Sequence, residues 1–214
     1  LEYKVRMSER IDGEPGVYRE AKVKLNVDPY RMYYLQLIPD DGVELLYNRE
    51  AYGNKVIVNP NCFPWFNLSL SPDGRVIRKK RHHTVFDLGF GYIHKITSQF
   101  LDKFARQEMI KIKYAGEDHF NMMDCHVITI ENEGFLFYRY QTSEKETITQ
   151  VAEKLGLSDY MLLERNPGAG WYDTPLREEM IVIPNTYARK VVYYLDKTTM
   201  LPVKVRVYDD LGLF

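Results

Sequence analysis

Tyr138-Arg-Tyr-Gln-Thr-Ser-Glu-Lys-Glu-Thr-Ile148 opens, and Ile181-Val-Ile-Pro184 closes, a segment that differs in kind from the rest of the chain. It begins and ends as strand. Between, Thr147 is placed to cap a helix whose Ile148, Val151, Ala152 and Leu155 fall on one face. Gly156 stops that helix. Ser158 caps a second one with Met161, Leu162 and Leu163 inward, and Asn166-Pro167 ends it, because proline pushes the residue before it out of helical backbone. The segment predicts a strand–helix–helix–strand unit set into a chain that otherwise reads as β.

Working outward, residues 1–7, 17–27, 31–38, 43–47, 55–59 and 65–70 show the two-residue alternation of half-buried strands. Gly, Pro and Asp turns separate them, such as 12–16, 28–29 and 39–42. Residues 75–78 are expected to pair back on 65–70 across Ser71-Pro72-Asp73-Gly74. One long helix, 89–106, carries Ile93, Ile96, Phe100, Leu101 and Phe104 on one side and is expected to bury that stripe on a sheet. Strands follow at 110–114, 125–131 and 135–141, and a last hairpin pairs 190–196 with 202–208. About ten strands to one long helix predict an α+β fold: one large curved antiparallel sheet packed on the helix.

Bulk properties narrow the function classes. The 214 residues carry a formal charge of −1, with 45% hydrophobic and 28% charged residues. That balance gives no electrostatic case for nucleic acid or an anionic membrane surface as partner. Aromatic residues reach 14%, 17 of them tyrosine, which suits a sheet or a surface handling apolar or sugar ligands. No apolar run is long enough to span a bilayer. The chain opens in mid-strand at Leu1-Glu-Tyr-Lys-Val5, as a mature or trimmed chain does, so a lipid anchor or signal lies outside what can be read. Cys62 and Cys125 are too few for a disulfide framework or zinc site; they form either one disulfide or two buried thiols, the second arrangement being the commoner.

Residues 138–187 resemble a LysM module, the βααβ unit that binds N-acetylglucosamine glycans such as peptidoglycan. The resemblance rests on Glu146-Thr147-Ile148 with Val151-Ala152, on Leu163 with Asn166-Pro167, and on Ile181-Val182-Ile183-Pro184. Lys145 stands where such modules usually have glycine, and Glu178-Glu179 where they have Gly-Gln, in the loops flanking the groove. The resemblance implies glycan contacts at Glu146, Thr147, Asn166, Pro167, Gly168 and Trp171, or else a module of that shape with no ligand.

The remainder, 1–137 with 188–214, resembles an uncharacterised Bacteroidetes-type envelope lipoprotein family. The residues concerned are Tyr3-Lys-Val-Arg-Met7, Glu9-Arg-Ile-Asp-Gly13, Gly42-Val-Glu-Leu-Leu-Tyr47, Val58-Asn-Pro-Asn61, Phe63-Pro64, Arg78, His82-His-Thr84, Tyr194-Leu-Asp-Lys197, Leu201-Pro202 and Val207-Tyr-Asp209. The arrangement is also similar to the LolA/LolB lipoprotein carriers, which wrap an unclosed antiparallel sheet around helices and hold acyl chains in the hollow. That similarity implies a lipid-sized cavity lined by Trp65, Phe66, Tyr92, Ile96, Phe100 and Phe104, with core packing as the plainer role for each.

Other constellations carry less. The run Arg78-Lys-Lys-Arg-His-His83 reads as a solvated loop. His82 and His83 point opposite ways on extended backbone and have no metal-ligand spacing; a ring nitrogen bonded to backbone is the expected role. Gly-x-Ser-x-Gly is absent, Cys125-His126 fall on opposite strand faces, and the pairs Glu9/Asp12, Glu131/Glu133 and Asp209/Asp210 sit near turns and read as solvated. Gly89 and Gly91 read as allowing a close helix start. The resulting expectation is a non-catalytic protein without metal or cofactor, periplasmic or attached to the outer membrane. It would contact peptidoglycan through 138–187 and hold a lipid or lipoprotein acyl chain on its curved sheet, with the membrane reached only through a lipid anchor before Leu1. The alternatives are an assembly factor binding other envelope proteins and, third, an envelope-glycan hydrolase.

Overall fold

The computed structural model describes residues 1–104, 107–177 and 179–214; Arg106, the expected end of the long helix, and Glu178 fall outside them. Two compact units divide the chain, Leu1–Gly91 and Tyr92–Phe214.

In the first unit the alternating segments form β1 (Glu2–Met7), β4 (Arg19–Asn26), β5 (Arg31–Ile38), β6 (Glu44–Asn48), β7 (Val56–Asn59) and β8 (Leu68–Leu70). They make a six-stranded sheet in the order β1-β4-β5-β6-β7-β8, every pair antiparallel. A small hairpin, β2 (Arg10–Ile11) with β3 (Glu14–Pro15), fills the β1–β4 connection. One face of the sheet is apolar: Ala21, Val23, Leu25, Met32, Tyr34, Leu45, Tyr47, Val56 and Val58 pack with Ile77, Val85 and Leu88 from the chain after β8. The β6–β7 connection is a helical turn, α1 (Arg49–Tyr52), because the Asn48 side chain caps Glu50 N (3.1 Å) and Ala51 N (3.3 Å).

The structure corrects two expectations in this region. Residues 75–78 are not a strand pairing with β8 but a helical turn, α2 (Arg75–Arg78). Gly74 accepts from Arg78 N (3.0 Å), and Ile77 and Arg78 turn inward. The chain therefore leaves the sheet at β8, which is an edge. The strands accordingly form two main sheets, each open at both edges, instead of one large curved sheet.

The second unit takes in all but the first residues of α3 (Phe90–Phe104), whose apolar stripe is only half-buried. Its own sheet has four strands in the order β14-β13-β10-β9, with β9 Ile110–Phe120, β10 Met123–Asn132, β13 Lys190–Asp196 and β14 Pro202–Tyr208. Asn121 and Met122, both at positive φ (49° and 63°), turn β9 into β10, the backbone a two-residue hairpin turn needs. Strands β10 and β13 pair from Glu131↔Lys190 onward, so residues 133–189 leave and return at the tip of one hairpin. They contain β11 (Phe137–Gln141), α4 (Ile148–Leu155), α5 (Asp159–Arg165) and β12 (Met180–Pro184), with β11 and β12 antiparallel. Thr147 and Gln150 form a reciprocal capping box, Gly156 ends α4 in the left-handed region, and Ser158 caps α5. Ile148, Val151, Ala152, Met161, Leu162, Ile181 and Ile183 are buried beneath the two helices. At the connection, Asn132 Nδ2 donates to Asn185 Oδ1 (3.3 Å) and Thr186 Oγ1 (3.1 Å), and Asn185 Nδ2 donates to the Gly134 carbonyl (2.8 Å).

Candidate functional site

The segment around Glu9 and the basic run 78–83, about seventy residues apart in sequence, meet in the first unit. His83 Nδ1 lies 2.6 Å from Glu9 Oε1, and Arg19 Nη1 lies 3.4 Å from Glu9 Oε2. Arg19 Nη2 donates to the Lys80 carbonyl at 2.5 Å, Arg78 Nη2 to the His82 carbonyl at 2.5 Å, and Arg81 Nη2 to Gln36 Oε1 at 2.9 Å. His82 Nε2 is bonded to the Arg10 carbonyl, the backbone role expected of it. Glu9, Arg19, Arg78 and His82 are all buried. Glu9 is therefore not the solvated carboxylate its turn-like context suggested, and the run 78–83 is not a solvated loop: within it only Lys79 and Lys80 are exposed, and Arg81 and His83 are half-buried. Asp209 is likewise buried, its Oδ1 accepting from Leu211 N at 2.8 Å.

Burial opposes ionisation of Glu9, but the His83 hydrogen bond, the charges of His83 and Arg19 and, once acid protonates it, that of His82 outweigh it and hold the carboxyl down at about 2. Burial dominates at His82 and pushes it down to about 4, so it is neutral at pH 7. Beside Glu9, Arg19, Tyr34 and Arg81 there is a cavity of only about 30 Å³, room for about one water. This cluster ties the 78–84 loop to β2 and β4; it has no room for an organic ligand.

A larger concavity lies at the other end of the same sheet. It measures about 570 Å³ and is lined by Pro29, Tyr30, Tyr47, Asn48, Arg49, Glu50 and Phe86, within the ~300–1,000 Å³ of small-molecule sites. Local chemistry fixes its walls. Thr84 N and Oγ1 both donate to Asp87 Oδ2 (2.7 and 3.0 Å), and Phe86 N donates to Thr84 Oγ1 (3.1 Å), so a tight turn presents the Phe86 ring. Tyr30 OH donates to the Val85 carbonyl (2.6 Å), and burial raises its pKa well above the ordinary tyrosine value. The Tyr47 and Phe86 rings meet edge-on at 5.0 Å, and Tyr30 lies 6.0 and 5.8 Å from them. Arg49 and Glu50, from the capped turn α1, supply charge at the rim.

The residues expected to line a lipid cavity are distributed differently. Trp65 and Phe66 stand 81% and 65% exposed on the β7–β8 loop. Tyr92, Ile96, Phe100 and Phe104 run along α3, all half-buried; Tyr92 OH lies 3.2 Å from Tyr187 OH, and the Phe100 and Phe104 rings are 5.5 Å apart. Gly89 sits at φ +85°, where a Cβ would meet Leu25 at 2.8 Å, so the close start of α3 does require glycine there; Gly91 has open space around it.

The residues expected to contact glycan are largely spoken for within their own segment. Glu146 Oε2 accepts from Ser143 N (3.0 Å) and its Oε1 meets Lys154 Nζ (3.2 Å), while Thr147 caps α4. Asn166 Nδ2 donates to the Leu162 and Val182 carbonyls, both at 2.7 Å, and its Oδ1 accepts from Val182 N at 2.8 Å, which pins the end of α5 to β12. The two loops flanking the expected groove pair with each other, Lys145 N to Leu176 O at 3.1 Å and Leu176 N to Glu146 O at 2.8 Å. Pro167 and Gly168 are exposed, and Trp171 is half-buried edge-on to Tyr172. Both cysteines are free, Cys125 buried and Cys62 exposed. Among the described residues, no group of three or more His, Cys, Asp or Glu is placed to hold a metal ion.

Sequence reading missed Tyr30, Arg49, Glu50 and Phe86. The signal lay in the turn chemistry, Asn48 and Thr84-x-x-Asp87, which presents these side chains.

A family profile described as "Protein of unknown function (DUF1571)" matches residues 1–143. No curated protein matches the chain by sequence. Among solved structures, the chain is similar to Mycobacterium tuberculosis lipoprotein LppX, at 10% identity and TM-score 0.38, over 98% of this chain and 81% of that one. It is also similar to a DUF1329 family protein from Desulfovibrio piger, at 14% identity and TM-score 0.30, and to a LolA superfamily protein from Nitrosomonas europaea, at 10% and 0.27. Each of these two alignments covers 99% of this chain and 66% of the other.

Proposed function

We propose, from the premise that the chain belongs to the DUF1571 family of unknown function, that it is a non-catalytic binding protein of the cell envelope. Its ligand is amphipathic, a lipid or acyl-type molecule, seated in the cleft between Tyr30, Tyr47 and Phe86. The cleft's 570 Å³ volume against aromatic walls carries this reading. Apolar ligand surface gains about 25 cal/mol per Å² on leaving water, and Arg49 offers a partner for a polar end, whereas the Glu50 carboxylate is already paired with Arg31. The Glu9 carboxylate is already engaged by His83 and Arg19, which supports a holding role for that pair over acid–base chemistry.

Displacement of a fluorescent fatty-acid probe tests the cleft. Phe86→Ala with Arg49→Ala is expected to weaken probe binding about tenfold or more, as loss of a buried ring and one charge contact implies. A probe that fails to bind the unmodified chain, or binds the variant equally well, refutes the reading.

A second reading concerns residues 138–187 as a module of a domain comprising 1–137 and 188–214. Its strand–helix–helix–strand order, with exposed Pro167 and Gly168 near the half-buried Trp171, supports a peptidoglycan contact; the internal engagement of Glu146, Thr147 and Asn166 supports a ligand-free spacer. Pull-down on insoluble peptidoglycan with Trp171→Ala separates them. Loss of binding favours the glycan contact, and absence of binding by the unmodified chain leaves the spacer.

A further inference from the structure

The β7–β8 loop reads Pro60-Asn61-Cys62-Phe63-Pro64-Trp65-Phe66-Asn67. Phe63 is 82% exposed, Trp65 81% and Phe66 65%. Scattered single apolar residues on a surface need no explanation, but a contiguous apolar patch marks an interaction site.

Strand register places further exposed apolar residues at the same end of the sheet. Asn59 faces Glu44, and Ile38 faces Glu20, so the loop, the β5–β6 turn and the start of β4 share one end of the sheet. Val17, Tyr18 and Ile38 at that end are also exposed. The loop base is fixed, because Asn61 Nδ2 donates to the Asp41 carbonyl at 3.1 Å and Asn59 Oδ1 accepts from Asn61 N at 3.1 Å. The aromatic rings are thus presented on an anchored base.

Charge helps to choose the occupant. Exposed Asp40 and Asp41 adjoin the loop on one side, and exposed Lys79 and Lys80 belong to the segment held by Arg19. Two carboxylates and two ammonium groups offset each other, so neither an anionic nor a cationic partner is selected. Three rings on one projecting loop are also a small area beside the ~800 Å² per side that a stable protein interface buries. They suit the headgroup boundary of a bilayer, where Trp is enriched and apolar side chains enter to a depth of ~5–10 Å. We propose that residues 63–66 are a membrane-interface anchor, which inserts the rings of Phe63, Trp65 and Phe66 into a zwitterionic lipid surface. This stands apart from the cleft reading, since the cleft adjoins the Tyr47–Asn48 end of β6 and the loop the Glu44 end.

Co-sedimentation of the full chain with phosphatidylcholine vesicles tests it, alongside fluorescence. The chain has two tryptophans, so Trp171→Phe leaves Trp65 as the only indole reporter. The expected results are vesicle-dependent pelleting, a blue shift of Trp65 emission and its quenching by brominated phosphatidylcholine. Phe63→Ser, Trp65→Ser and Phe66→Ser together should lower vesicle partitioning by at least about tenfold with an unchanged circular dichroism spectrum. If the triple variant is misfolded, Trp65→Ser alone is read, with a smaller drop of the same sign. Three results overturn the proposal: no pelleting or emission shift of the unmodified chain at millimolar lipid, equal partitioning of a folded variant, or lipid-free self-association that the variant abolishes.

Discussion

The inserted segment and the first sheet make opposite use of the residues that look most like binding groups. In the segment, Glu146, Thr147 and Asn166 have the polarity and the positions of ligand contacts, yet each is engaged by its neighbours. In the first sheet, Phe63, Trp65 and Phe66 resemble core residues in composition, yet they stand in water, and Phe86 edges an open cleft. The difference teaches that a side chain's chemistry nominates it for a site, while its unspent contacts decide whether it serves. A polar group that has satisfied its partners inside the fold is holding the fold; an aromatic ring without cover is available.

That contrast can be broken by perturbing the engaged groups and then the available ones. The largest effect is expected from acid. Glu9 is held at about 2 against an ordinary 4.5, so its contribution is complete above 4.5 and lost as pH falls toward 2. His82 is held at about 4 against an ordinary 6.5, so the folded state binds its proton later than the unfolded chain, and stability falls as pH drops from 6.5 through 4. At ~1.4 kcal/mol per unit, each group accounts for roughly 3 kcal/mol as an upper figure. Denaturant titrations at pH 7, 5 and 3 check this; a midpoint flat across that range would show that the cluster contributes nothing.

Asn166→Ala comes next. It removes three hydrogen bonds at about 1 kcal/mol each and leaves Val182 N without its acceptor, so a loss of about 3 kcal/mol is expected. Hydrogen exchange should localise the loss to α5 and β12. Thr147→Ala removes one side of the capping box and should cost about 1 kcal/mol. Were Glu146, Thr147 and Asn166 ligand groups first and structural groups second, both substitutions would leave the melting temperature in place. The smallest effect belongs to the exposed rings. Phe63→Ser, Trp65→Ser and Phe66→Ser should each stay within ~0.5 kcal/mol of the unmodified chain, and a larger loss would mean that the loop packs more than its exposure indicates.

Much of the fold was legible because its cues are local. Alternation located most of the strands, and Thr147, Gly156, Ser158 and Asn166-Pro167 bounded both short helices. Residues 75–78 were misread because Ser71-Pro72-Asp73-Gly74 has the chemistry of a hairpin turn and is followed by the β-branched pair Val76-Ile77, while Gly74 and the inward turn of Arg78 close a helical turn. The Glu9 cluster was illegible for another reason. Its partners lie 10 and 74 residues away, and no window along the chain reports that a carboxylate beside a turn will be buried against a histidine from a distant loop. Two sheets were read as one because strand pattern gives the number of strands and not which edges stay open.

The facing pair Glu131 and Lys190 has a consequence for the order of assembly. Strand β13 must find β10 across residues 133–189, and closing so long an unstructured stretch is entropically costly, growing as the logarithm of its length. Once β11 and β12 have zipped together, most of that distance is already spanned and only short arms remain to be brought into register. Early formation of the small helical insertion therefore hastens the larger sheet beside it, and slowing the one should delay the other.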